Sequence, residues 1–163
     1  MNAKDVIRCT LGHSDLILKS YVNDLDDAEL QLSPLEGMNC IAWQLGHLIS
    51  SERGMVEGVK PGSCPPLPAG FDENHGKNKG QTDNSANYLS KSEYLALLEA
   101  QREATKAVLD GLSDEELDAP APERMQRMCP TVGSVMLLTG NHVLMHLGQF
   151  VAVRRKLNKP VVI

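Results

Sequence analysis

Five histidines stand in the chain, at positions 13, 47, 75, 142 and 146, and three of them have the spacing for shared chemistry. His142 and His146 are four apart, so on a helix they lie on one face, one turn from each other. Two imidazoles so placed can bind one metal ion at about 2.0–2.1 Å each. The run His142-Val143-Leu144-Met145-His146 has no glutamate after its first histidine, the residue zinc proteases of the His-Glu-x-x-His type use as a general base. His47 lies midway along another apolar stretch, as the pair does along its own. Side by side, the two segments would bring three imidazoles to one ion, leaving one or more positions for water or substrate, as in catalytic sites. The competing reading is three separate core histidines, each satisfied by a backbone carbonyl. Nothing pairs His13 with this set, and His75 falls in a loop where it is expected to be solvated.

Four helical segments must carry these residues. The first spans about 3–24, with Ile7, Leu11, Ser14, Leu18 and Tyr21 at helical spacing. After a connection over 25–38, the second runs from an expected Asn39 N-cap to about Glu57. Ser90 or Ser92 caps a third, from Glu93 to about Leu112, and residues 113–117 add a turn. Thr131 caps the fourth, which ends near Leu157, with Arg154, Arg155 and Lys156 placed to complement the helix dipole. Between the second and third lie residues 59–89, 31 residues with four Pro, four Gly and no apolar period. A structureless connection of that length is uncommon in a compact domain and is usually functional. It is long enough to return along the whole length of a bundle, so the second and third helices need not be neighbours. The chain reads as one all-α domain over 1–163.

Helical spacing supplies further candidates. Gln149 is three past His146 and seven past His142, on their face, where its amide could orient a ligand or bond another helix. Trp43 is one turn before His47 and either packs the core or walls the site. Glu52 sits roughly 140° around the helix from His47, and Cys40 about 10 Å from it along the axis, both poorly placed for an ion held there.

Composition narrows the function classes. With 16 basic against 21 acidic side chains and no basic block, nucleic acid is not the expected partner. Residues 131–153 contain no Asp, Glu, Lys or Arg, yet Asn141, His142, His146 and Gln149 near the middle would be costly in hydrocarbon. That segment reads as a helix buried nearly all round in protein, not as a membrane span. No two of the four cysteines are close enough for a Cys-x-x-Cys motif, and the first eight residues are too charged for a signal peptide, so a cytoplasmic protein with reduced thiols is expected.

Two stretches carry a family resemblance. Asn39-Cys40-Ile41-Ala42-Trp43-Gln44-Leu45-Gly46-His47-Leu48, with Glu52 after it, resembles the second-helix signature of the DinB/YfiT-like superfamily. His142 with His146-Leu147-Gly148-Gln149 and then Arg154-Arg155-Lys156-Leu157 resembles its last-helix signature. The resemblance implies a four-helix bundle with a long crossover connection between helices 2 and 3, often dimeric. It also implies a divalent metal, commonly zinc or nickel, on His47, His142 and His146. Characterised members include metal-dependent transferases that use bacillithiol, mycothiol or glutathione. The implied activity is therefore conjugation of a low-molecular-weight thiol to an electrophile. The alternatives are a non-catalytic, stress-related metal-binding bundle and a metal-dependent hydrolase. A homodimer is expected through the last helix, because Leu137, Leu144 and Val151 recur on a side that faces neither the histidines nor the neighbouring stripe.

Overall fold

Every long helix but one begins where a side-chain oxygen can hold the free N–H groups of its first turn. In the computed structural model, which describes residues 1–76 and 88–162, α1 (Ala3–Val22) is capped by Asn2. After the short α2 (Asp27–Leu30), α3 (Ile41–Val59) and α4 (Phe71–His75), the long α5 (Lys91–Gly111) is capped by Ser90. The short α6 (Asp114–Asp118) and a 3₁₀ turn at Glu123–Met125 lead to α7 (Val132–Lys156), capped by Thr131. In α1, α5 and α7 the third residue, Asp5, Glu93 or Ser134, returns a bond to the cap backbone, which satisfies two donors at once. Among the described residues there is no sheet, only an isolated bridge between Pro120 and Thr131. The expected connection over 59–89 is only partly tested, since residues 77–87 lie outside the described ones, but 71–75 are helical and not structureless.

The uncapped helix is α3. Its N-cap is Cys40, one residue later than the Asn39 cap expected from the sequence, and the cap side chain makes no hydrogen bond to the first turn. Burial replaces the cap. All nine residues from Ile41 to Ile49 are buried, and Glu52, Met55 and Val56 follow. The helix buried all round is therefore α3, not α7 as the charge-free run suggested. α7 leaves Asn141, Leu144, Met145, Gly148 and Gln149 exposed along one side. The reason is placement: α3 packs on α2, α4, α5 and α7, whereas α7 packs on α1, α3 and α6.

The buried core is shared by α1, α3, α5 and α7. One cluster joins Leu18, Tyr21, Leu45, Leu48, Val143 and Phe150, and a second joins Ile7, Leu11, Val56, Leu109 and Met136. α1 and α7 approach closely at Gly140, where a Cβ would lie 2.9 Å from the Thr10 side chain and 3.3 Å from its backbone. Leu137 and Val151, expected on an uncovered face, are half-buried against these clusters.

Arg154 behaves differently from its neighbours in the basic run. It is 1% exposed and donates to Tyr21 O at 2.7 Å and to both Asp24 carboxylate oxygens at 2.6 and 3.0 Å. It ties the end of α7 to the end of α1 instead of lying along the helix terminus in water. That hydrogen bonding holds the Asp24 carboxyl below the usual carboxylate range.

Candidate metal centre

His47 on α3 and His142 and His146 on α7 meet because the two helices pack against each other at the middle of each. Their ring centroids are 5.4 Å (His47–His142), 5.3 Å (His47–His146) and 4.8 Å (His142–His146) apart. One nitrogen from each ring lies within 4.8 Å of the others. Two nitrogens on one tetrahedral ion at about 2.1 Å are about 3.4 Å apart. The set thus needs up to about 1.4 Å of closure to surround a metal, within reach of side-chain rotations. His47 and His146 are buried and His142 is half-buried, so the cluster is open on one side.

Two neighbours orient the rings. Trp43, one turn before His47, stacks on it at 4.8 Å with an interplanar angle of 6°. The indole thus fixes the His47 plane as well as packing the core. Gln44 is fully buried, and its Nε2 donates to the Asn39 carbonyl at 3.0 Å. Its Oε1 therefore faces His146 Nδ1, 3.0 Å away. An amide oxygen only accepts, so Nδ1 carries the proton and Nε2 of His146 keeps its lone pair for the cluster. Fixing the tautomer through the far nitrogen is the usual way proteins prepare a histidine ligand.

The electrostatics favour a neutral His146 ring. Burial first, then the adjoining His142 and His47, push the His146 pKa down to about 4. An imidazole must be unprotonated to ligate, so this ring stays competent well into the acid range.

Gln149, expected on the histidine face, is exposed. The carboxamide that reaches a site histidine belongs to Gln44 instead. A polar residue in the apolar run from Ile41 to Leu48 was the signal for it, since a buried amide must find partners. Ser51, one turn after His47, was also missed; its hydroxyl lies 3.4 Å from His47 Nε2. Glu52 points away: Arg102 Nη2 is 3.1 Å from one of its oxygens, and Thr105 donates to the other at 2.6 Å. His75 is not solvated. It is 1% exposed, with Nδ1 donating to Phe71 O and Nε2 accepting from Tyr94 Oη, each at 2.8 Å. It packs over Gly46, where a Cβ would lie 2.1 Å from its ring, so only glycine fits beside His47.

A groove of about 460 Å³ starts at Ser51 and His142 and runs between α3, α7 and the 3₁₀ turn. Its walls are Met55, Met125, Met128, Leu138 and Met145, with Arg124 among them.

Fold and site together define an all-helical protein with a histidine cluster able to coordinate a metal ion. The chain belongs to the DinB superfamily, whose family model matches residues 17–150 and so includes all three histidines. No curated protein and no solved structure matches the chain. Among the described residues no helix is long and apolar enough to cross a membrane.

Proposed function

We propose that this chain is a metal-dependent transferase that joins a low-molecular-weight thiol to an electrophilic carbon. In this reading zinc or nickel sits on His47, His142 and His146, one ion per chain. The scaffold is a four-helix bundle of α1, α3, α5 and α7, with the 59–89 segment as its crossover. The observation that carries the reading is the convergence of three imidazole nitrogens at a point open on the side of His142 and Ser51. A bound divalent ion would supply acidification of a coordinated thiol. Trp43 and Gln44 hold the rings, and the groove offers room for the second reactant beside them. The sulfur–carbon bond forms as the carbon's bond to its leaving atom breaks, and the proton shed by the thiol ends on that atom. Hydrolysis would call for a base beside the cluster, and the buried carboxylate on the same helix, Glu52, is committed to Arg102 and Thr105. A homodimer through the exposed side of α7, along Asn141, Leu144 and Gly148 and away from the groove, belongs to the same reading.

Elemental analysis of the purified full chain tests the metal. One zinc or nickel per chain is expected, falling to near zero in His47→Ala and His146→Ala. Equal metal in wild type and the triple His47/His142/His146→Ala variant overturns the assignment. A panel of thiols against electrophiles then tests the reaction: conjugation should need both thiol and metal, and turnover of an ester or amide without thiol would favour the hydrolase.

A further inference from the structure

The groove beside the histidines has a composition of its own. Met55 on α3, Met125 on the 3₁₀ turn, Met128 just after it, and Leu138 and Met145 on α7 make it apolar. Met128 is 75% exposed and Met145 66%, among the largest apolar exposures of the molecule. Unbranched thioether side chains adapt to irregular apolar ligands, and exposed methionines gathered in one concavity mark a binding surface. A volume of about 460 Å³ lies within the roughly 300–1,000 Å³ of small-molecule pockets.

One charged group breaks this apolar lining. Arg124 donates through Nη2 to Gly54 O at 2.6 Å, which anchors it against α3. Arg124 is exposed, and among the described residues no carboxylate lies within 4.0 Å of its guanidinium, as is true also of Arg53, Arg127 and Arg155. A guanidinium held at one nitrogen and unpaired at the others is a ready partner for a carboxylate.

We infer that the groove is the acceptor subsite for an apolar organic acid, the methionines enclosing its body and Arg124 pairing with its carboxylate. This deepens the transferase reading and rests on it for the word acceptor, since Ser51 and His142 join the groove to the cluster. Binding itself depends on the groove alone. A polar thiol such as glutathione would bury its charges against thioethers here, so the groove suits the other reactant.

The test uses the full chain with its seven methionine methyls labelled with carbon-13 and followed by NMR. The matched probes are 4-phenylbutyrate and its uncharged amide. Shifts are expected at Met55, Met125, Met128 and Met145 but not at buried Met136 or at Met38. The acid should bind at least about tenfold more tightly than the amide, the ratio for one charged hydrogen-bonded pair. Arg124→Gln should remove that ratio, and Arg124→Lys should keep most of it. The His146→Ala variant should still bind the acid even where its metal is lost, which separates a failure here from a failure of the metal assignment. Equal binding of acid and amide, no shift at millimolar probe, or shifts at other methionines would overturn the inference. So would glutathione moving the same four methyls more strongly than phenylbutyrate. A dimer by light scattering with these methyls already protected would make a second copy the occupant.

Discussion

α3 carries two buried polar clusters, and they are built to opposite ends. Around His47 three imidazoles converge, His146 oriented by Gln44 and His47 by Trp43, with one nitrogen of each within 4.8 Å of the others. Five residues on, Glu52 meets Arg102, which also lies 2.9 Å from Asp15, while Thr105 donates to the carboxylate. There opposite charges answer each other inside the protein. Burial pushes the Glu52 carboxyl up, and Arg102 and Thr105 pull it back. The ionic cluster therefore joins α1, α3 and α5, whereas the histidine cluster joins α3 and α7 and gathers three potential ligand atoms at one place. Buried groups of opposite charge that pair with each other serve the fold, and buried groups of one ligand type gathered at one place serve a ligand.

If the two are independent, removing Arg102 should damage the fold and spare the metal. Arg102→Met leaves Glu52 buried without its cation, a loss of about 3–5 kcal/mol in urea unfolding. Metal per folded chain should be unchanged. A variant that loses metal in proportion to stability would join the clusters into one unit.

Acid should act on the histidine side in a defined window. The His146 pKa is about 4 in the folded chain and about 6.5 when unfolded. As pH falls through 6.5 the unfolded state takes up a proton that the folded state refuses. The metal-free protein is therefore most stable, in this respect, above pH 6.5, and loses that contribution progressively down to about pH 4. The full loss is about 3 kcal/mol at most. Urea unfolding of metal-free wild type and His146→Leu at pH 7, 5.5 and 4.5 isolates it. The gap between the two should narrow or reverse toward acid, and a gap independent of pH would show that the His146 pKa is ordinary.

Much of this was legible in the sequence because helices expose their logic locally. Caps at Ser90 and Thr131 and the four-residue step from His142 to His146 are short-range facts. The meeting of His47 with that pair is long-range, and symmetry of depth in two apolar runs was the clue. What stayed hidden were choices made by packing. An apolar run does not say which helix is central, so α7 looked more buried than α3. His75, in a Pro- and Gly-rich stretch, gave no sign that it would cover Gly46, because that depends on chain return and not on local pattern. Gln149 and Gln44 both offered an amide near a histidine in sequence, and only the packing of α3 on α7 decided between them.

That choice can be tested on the metal itself. Gln44→Leu keeps the volume but removes the acceptor that holds the His146 proton, and metal affinity should fall about 10- to 100-fold. Gln149→Leu, by contrast, should leave it unchanged. A chelator competition titration on both variants reads the difference, and equal losses would return Gln149 to the site.

Ser51 should show the smallest effect. Its hydroxyl lies 3.4 Å from His47 Nε2, too long for a strong hydrogen bond, and His47 is already held by the stack with Trp43. Ser51→Ala should therefore change metal affinity by less than about threefold, the effect of a weak contact. Its place at the mouth of the groove makes it better suited to touch what enters than to hold what is bound. The same chelator competition measures the first effect, and conjugation kinetics the second. A tenfold loss of metal in Ser51→Ala would instead put the hydroxyl among the groups that hold the ion, and the line between an oriented cluster and its entrance would have to be redrawn one helical turn further along α3.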